Sequence, residues 1–151
     1  MKMIFKFGRY VVDVDVEKTK AFYDSAFSLP TNEVCSCVRC QRFPKAILSS
    51  SEGVLAFFHS LGIHPAKAGE VFGVSNEHEY ANHYSGWYHV VGTIVEGRLT
   101  DGMMDDTNAF MPDGNTNFQV WFEDDPNRMA WIEKNFPHPV LEISFSAVLL
   151  R

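Results

Sequence analysis

The residues best suited to chemistry lie in one short stretch, where Cys35, Cys37 and Cys40 fall within six positions. A C-x-x-C step turns two thiolates toward one point, and a C-x-C step adds a third where the backbone bends. Three ligands of a tetrahedral zinc site are therefore available locally. The fourth must come from elsewhere, and His59 and His64 are the nearest histidines. We predict a structural zinc site formed by Cys35, Cys37, Cys40 and His59.

Two other interpretations use the same cysteines. In the first, the thiols are free and behave as small hydrophobic side chains. In the second, Cys40 begins a helix beside Arg39 and Arg42, which favours a reactive thiolate with a histidine as its base, or a metal-bound water. A fourth metal ligand distinguishes the zinc site, whereas a nearby general base distinguishes the enzyme.

Other polar clusters carry weaker signals. Glu77, His78, Glu79 and His83 form a second possible metal patch, although a hydrated loop is the favoured interpretation. Loop acids that offer oxygen ligands to calcium or magnesium, without a twelve-residue calcium loop, are Asp105, Asp106, Asp113, Glu123, Asp124 and Asp125. His89 and His138 are interpreted as core or surface residues. No phosphate-binding loop, dinucleotide fingerprint, nucleophile elbow or H-E-x-x-H motif occurs in the sequence.

Charge is divided unevenly along the chain. Residues 1–60 carry eight Lys/Arg against six Asp/Glu, so the remaining residues carry five against thirteen of the totals of 13 and 19. A nucleic-acid partner is disfavoured because it requires a basic surface. The acidic second half predicts either simple solubility or a face for a protein partner with a basic surface.

The cellular setting is predicted from what the sequence lacks. No stretch has the length and apolar character of a membrane span, and the N-terminal apolar run is too short for a signal peptide. The odd, clustered cysteines suit a reducing compartment better than a disulfide framework. We therefore expect a cytosolic protein that does not bind membranes.

Hydrophobic periodicity predicts the elements that must position these side chains. Strands are expected at residues 5–14, 85–99, 117–123 and 140–150, the first of them near the centre of a sheet. Helices are expected at 16–27 after an Asp15 cap, at 40–51 with Pro44 in the first turn, at 52–61 before Gly62, at 125–136, and for one turn within 65–72.

Length and composition predict a single domain over residues 1–151, because 46% hydrophobic and 14% aromatic residues can bury a substantial core. The order of elements predicts an α+β fold. We expect an antiparallel sheet of about four or five strands with helices packed on one side and concentrated in the N-terminal half. The aromatic group Tyr80, Tyr84, Trp87 and Tyr88 is interpreted as core.

Two resemblances follow from motifs along the chain. The run YVVDVDVEKTKAFY (10–23) resembles the opening of a glyoxalase or vicinal oxygen chelate module, which implies a metal held by His and Glu on strands; the first strand here carries no His. The set DVDVEKTKAFY (13–23), CSCVRCQRF (35–43) and GWYHVVGTI (86–94) resembles a family of small proteins from Gram-positive gut bacteria with DVDVxxTxxFY and CxCxxC motifs. That resemblance implies a bacterial, cytosolic setting and no particular activity.

Together these features predict a bacterial binding or interaction protein stabilised by a cysteine-based zinc site. One form of this prediction is an immunity or antitoxin-like protein that meets a basic partner. The alternatives are a small thiol- or metal-dependent enzyme acting on a small metabolite, and a structural or regulatory module with free thiols.

Overall fold

The fold is given by a computed structural model that describes residues 2–25, 38–75, 81–101, 103–129 and 131–150. Their elements, in chain order, are β1 (Lys2–Phe7), β2 (Tyr10–Asp15), α1 (Val16–Ser25), α2 (Val38–Leu48), α3 (Glu52–Ser60), β3 (Glu70–Ser75), β4 (Ala81–Glu96), β5 (Phe118–Glu123) and β6 (Val140–Leu150). None of these helices is both long and apolar enough to cross a bilayer.

The strands form an antiparallel sheet in the order β1-β2-β4-β6-β5, with β3 also paired to β4. The predicted α+β class is therefore confirmed, with six strands in place of four or five and with the helices in the N-terminal half. The long strand β4 organises the sheet. Its whole first part pairs with β6, from Ala81↔Leu150 to Val91↔Val140, so these two strands form the central ladder.

The opposite edge of β4 is shared between two strands that leave a gap. β3 pairs with it as far as Trp87, and β2 begins to pair at Gly92. Helix α1 covers the interval. The Tyr23 hydroxyl donates to the His89 carbonyl at 2.8 Å and accepts from the His89 amide at 3.3 Å, and the Thr19 hydroxyl accepts from the Val91 amide at 3.0 Å. These side chains satisfy backbone groups that a strand would otherwise pair.

One face of the sheet and the helices enclose the main core, which is rich in phenylalanine. The Phe7 ring lies 4.9 Å from that of Phe57 and 5.1 Å from that of Phe110, so the first hairpin packs on α3 and on the segment before β5. Of the aromatic group predicted as core, Tyr84 and Tyr88 are fully buried here, Trp87 is only half-buried, and Tyr80 lies outside the described residues. Successive strand residues alternate between faces, which places Trp87 and His89 on the other face of β4.

That other face carries a second, smaller hydrophobic cluster. Val91 and Val140 of the sheet pack with Phe136, which belongs to the segment between β5 and β6. Phe22 of α1 meets the same cluster, with its ring 4.6 Å from that of Phe136. Residues 124–139 therefore cover part of this face, although they contain no regular helix among the residues described.

Several local predictions are confirmed. The amide of Lys18 donates to the Asp15 carboxylate at 3.1 Å, so Asp15 caps α1. Gly62 adopts a φ of 82° and ends α3, with its amide donating to the His59 carbonyl and that of Ile63 to the Phe58 carbonyl. A side chain at this left-handed position is disfavoured, which explains the glycine.

Other local predictions are wrong. The single strand expected at 5–14 is a hairpin that turns at Gly8, with β1 at the sheet edge. The helical turn expected within 65–72 is only a short turn, in which the Lys67 amide donates to the His64 carbonyl at 2.9 Å, and from Glu70 the chain forms the unpredicted strand β3. Pro44 lies beyond the first turn of α2. The helix expected at 125–136 is absent from the described part of that segment. Asp125 instead accepts from the Asn127 amide at 2.9 Å, a turn that competes with helix formation.

Candidate functional site

The predicted zinc ligands are only partly within the described structure. Cys35 and Cys37 lie outside the described residues, and Cys40 lies in the first turn of α2. His59 is exposed near the end of α3. Burial lowers the pKa of His64, and the charges of Lys67 and His59 act in the same direction. The zinc site stays a prediction.

The acidic loop residues have structural partners of their own. Within the described residues, no group of three or more His, Cys, Asp or Glu side chains is arranged to hold a metal ion. Asp105 accepts from the Thr107 amide and hydroxyl, which lower its pKa. Asp124 accepts from Arg98, whose charge and hydrogen bonds lower the pKa of that carboxyl. These acids hold loops together. Of the second proposed patch, His83 is exposed on β4 and residues 77–79 are outside the described ranges.

A buried hydrogen-bonded trio lies on the second face of the sheet. His89 Nδ1 is 2.9 Å from Glu133 Oε2, and His89 Nε2 is 3.0 Å from Glu142 Oε1. The three side chains are almost fully buried, and that of His89 has no exposed surface. Burial alone would lower the pKa of His89, but the hydrogen bonds and charges of Glu133 and Glu142 raise it to about 9. A charged imidazolium between two carboxylates therefore joins β4, β6 and the segment before β6.

The trio is positioned by pairing across the sheet. His89 and Glu142 are directly opposite each other in the β4–β6 ladder. Glu133 is brought in by its own segment, beside Phe136, whose ring is 5.9 Å from that of His89. Sequence reasoning missed the trio. Its only local signal was a polar residue within each of two apolar strands, and no pattern related these residues to Glu133.

The hydrogen bonds of the trio are made within it. Both ring nitrogens of His89 are engaged by carboxylates, which leaves neither for a metal or a reacting group. Two polar atoms beside it, Glu133 Oε1 and Trp87 Nε1, are buried and have no hydrogen-bond partner among the described residues. Both approach Gly69, where an added Cβ would lie 2.6 Å from Glu133 Oε1 and 3.1 Å from Trp87 Nε1. We interpret the trio as a structural ion-pair cluster that holds β4, β6 and the segment before β6 together.

A separate cleft of about 650 Å³ opens at the other end of β4, between the helices and the sheet. Its volume lies within the range of small-molecule sites. Three structural groups line it: α2 and the first turn of α3 with the turn between them, the segment before and at the start of β5, and the first part of β4 with the end of β6. The lining residues are Arg42, Lys45, Ala46, Ser49, Ser50, Ser51, Val54, Tyr84, Asp113, Asn117, Phe118, Val148 and Leu149.

The floor and the rim of this cleft differ in chemistry. Val54, Tyr84, Phe118 and Leu149 are buried core residues and supply apolar surface. The polar and charged side chains of the rim are exposed, except for the half-buried Ser50. This combination of an apolar interior with a few polar groups is typical of sites that bind small molecules.

Two cations stand on one side of the rim. Arg42 and Lys45 lie three residues apart on α2, so they project from the same side of that helix. Neither side chain has an ion-pair partner among the residues that the structure describes. Both positive charges are therefore available to a ligand.

Asp113 is an acidic residue of the rim and is attached to the first turn of α3. Ser51 caps α3 by accepting from the Val54 amide at 3.3 Å, and its hydroxyl donates to Asp113 Oδ1 at 2.5 Å. Gly53 permits this approach, because an added Cβ would lie 2.7 Å from the Pro112 carbonyl oxygen. The glycine thus brings the loop before β5 against the first turn of α3.

Comparison with known proteins identified no relative of this chain. No protein-family model matches this chain, and the comparisons with curated proteins and with solved structures found no match. The function must therefore be argued from the cleft and the buried trio.

Proposed function

We propose that this protein is a binding protein for a small ligand that joins an anionic group to an apolar body. The observation that carries the proposal is the pair Arg42 and Lys45, two cations without an acidic partner among the described residues, at the rim of a cleft with an apolar floor. An anion gains charge-assisted hydrogen bonds there, and its apolar part gains contact with Phe118, Val54 and Leu149.

Binding is favoured over catalysis by the chemistry of the lining. No histidine is among the cleft residues described, so none of the serines has an imidazole base beside it. The Ser49 and Ser50 hydroxyls donate to the Lys45 and Ile47 carbonyls, and the Ser51 hydroxyl donates to Asp113. These hydroxyls are engaged as donors and offer lone pairs, which suits recognition.

The test uses a minimal probe pair. Hydrocinnamate carries one carboxylate on an aromatic body, and hydrocinnamamide is its uncharged counterpart. Titration into labelled protein, followed by backbone amide NMR shifts, should move the Ser50, Asn117 and Phe118 signals with the acid and much less with the amide. An Arg42→Ala/Lys45→Ala variant should bind the acid at least about tenfold more weakly.

Lys18→Ala provides a matched control, because Lys18 is an exposed helical cation on α1 that does not line the cleft. It should bind hydrocinnamate like the wild type. Equal shifts with acid and amide, or shifts that survive loss of both cleft cations, would exclude an anion site here.

The zinc site is a separate proposal about stability. Metal content of protein purified without added metal should approach one zinc per chain and fall in a Cys37→Ser variant together with thermal stability. Metal-free wild-type protein would refute the site. Fast alkylation of Cys40 at neutral pH without metal would instead favour the thiol enzyme. The acidic partner surface likewise stays a prediction, and a pull-down without a basic protein would count against it.

A further inference from the structure

The cleft rim carries opposite charges on two different elements. Arg42 and Lys45 project from α2, whereas Asp113 belongs to the loop before β5. No ion pair joins these groups among the described residues, so the opposite charges do not neutralise each other by direct contact. A purely anionic ligand leaves Asp113 unused.

Asp113 is held in a defined position. Its Oδ1 accepts the Ser51 hydroxyl at 2.5 Å, and the contact of Gly53 with Pro112 fixes the adjoining backbone. The other carboxylate oxygen, Oδ2, has no hydrogen-bond partner among the described residues and belongs to an exposed side chain. A cationic donor can therefore bind Oδ2 while the cap on α3 stays intact.

We propose that the ligand of this cleft is a zwitterion, a free amino acid or short peptide with apolar side chains, whose carboxylate binds Arg42 and Lys45 and whose ammonium group binds Asp113. This inference rests on the proposed function and extends it to the substrate class. The apolar side chains of such a ligand would occupy the floor formed by Val54, Phe118 and Leu149. Asn117, immediately before β5, also lines the cleft and carries a side-chain amide that can donate to or accept from a peptide group.

The size of the cleft admits both forms of this ligand. A volume of about 650 Å³ is large enough for a short peptide as well as for a free amino acid. Opposite charges at separate positions also give orientation, because the reversed ligand would place like charges together.

The test compares three forms of one dipeptide by isothermal titration calorimetry. Leucyl-phenylalanine is zwitterionic, its N-acetyl form keeps only the carboxylate, and its C-terminal amide keeps only the ammonium group. We expect the zwitterion to bind at least about tenfold more tightly than either blocked form, because each block removes one charge-assisted contact.

Asp113→Asn separates recognition from folding. The substituted side chain can still accept the Ser51 hydroxyl, so the cap on α3 is retained. In this variant the preference for leucyl-phenylalanine over its N-acetyl form should fall to within about twofold. Hydrocinnamate should still bind, at least as tightly as to the wild type, because the lost carboxylate charge no longer repels the anion. Asp101→Asn, at an exposed position outside the cleft lining, should keep the full preference.

Different results would refute the zwitterionic ligand and the proposed binding function. Equal binding of the free and N-acetylated dipeptides, or a preference that survives Asp113→Asn, would overturn the zwitterion while leaving an anion site. Absence of binding by hydrocinnamate and by all three dipeptide forms would overturn the proposed function as well.

Discussion

Replacing His89 is the sharpest test of the buried trio. In a His89→Gln variant the imidazolium is lost, and Glu133 and Glu142 lose their hydrogen bonds to its two nitrogens at 2.9 and 3.0 Å. Breaking a buried ion pair by removing one partner costs about 3–5 kcal/mol. That is a large share of the roughly 5–15 kcal/mol that stabilises an ordinary domain.

The raised pKa of His89 gives a second estimate of the stabilisation free energy, of similar size. A shift of the His89 pKa from 6.5 to about 9 corresponds to about 3 kcal/mol of preference for the charged form in the folded protein. Because the folded pKa is raised, this stabilisation is fully present below pH 6.5. It declines as pH rises and is lost above about 9.

The assay is equilibrium urea unfolding at several pH values between 6 and 10. We expect the wild type to lose about 3 kcal/mol of its free energy of unfolding over this range through His89, beyond the loss seen in His89→Gln. His83→Gln is a matched control, because His83 lies on the same strand and is exposed; it should change stability by less than about 0.5 kcal/mol. If the free energy of unfolding of His89→Gln at pH 7 is within about 1 kcal/mol of the wild-type value, the structural role of the trio is refuted.

Three further substitutions test other parts of the argument. Tyr23→Phe should lower the free energy of unfolding in urea by about 1–3 kcal/mol, because the His89 carbonyl loses its donor in the gap between β2 and β3. An unchanged free energy would mean that the backbone groups of His89 do not depend on the Tyr23 hydroxyl. Gly69→Ala should displace Glu133 and so remove most of the pH dependence assigned to His89, and a retained dependence would contradict the packing described at Gly69. Gly53→Ala should push the 112–114 loop from α3 and weaken ligand binding without abolishing folding, as followed by the same calorimetry; unchanged affinity would show that Asp113 need not be held.

Local signals explain which elements could be predicted. Asp15 before an amphipathic run, and Gly62 after one, mark helix ends through hydrogen bonds within a few residues. The strand Val140–Leu150 was predicted with its observed bounds, because a β-branched, aromatic run is intrinsically suited to a sheet.

The wrong predictions come from places where competing local choices are close in energy. The buried or half-buried apolar positions change from odd to even numbers across Gly8, from Phe5 and Phe7 to Tyr10, Val12 and Val14. Both halves have strand-like composition, so the sequence resembles one strand although the chain turns there. Residues 125–136 have helical spacing, but the Asp125 turn and the attachment of Glu133 to His89 draw the segment over the sheet. Tertiary contact outweighed helix propensity there.

The amino-acid sequence alone was sufficient for the α+β class, the caps of two helices and the strands with strong alternation, since each depends on interactions between near neighbours. The trio and the cleft depended on the tertiary structure. His89 is 44 residues from Glu133 and 53 from Glu142, and the cleft joins α2 to a loop beyond β4. Such pairs meet only when strand register and helix docking are decided, because a shift of one residue in β4 would turn His89 to the opposite face.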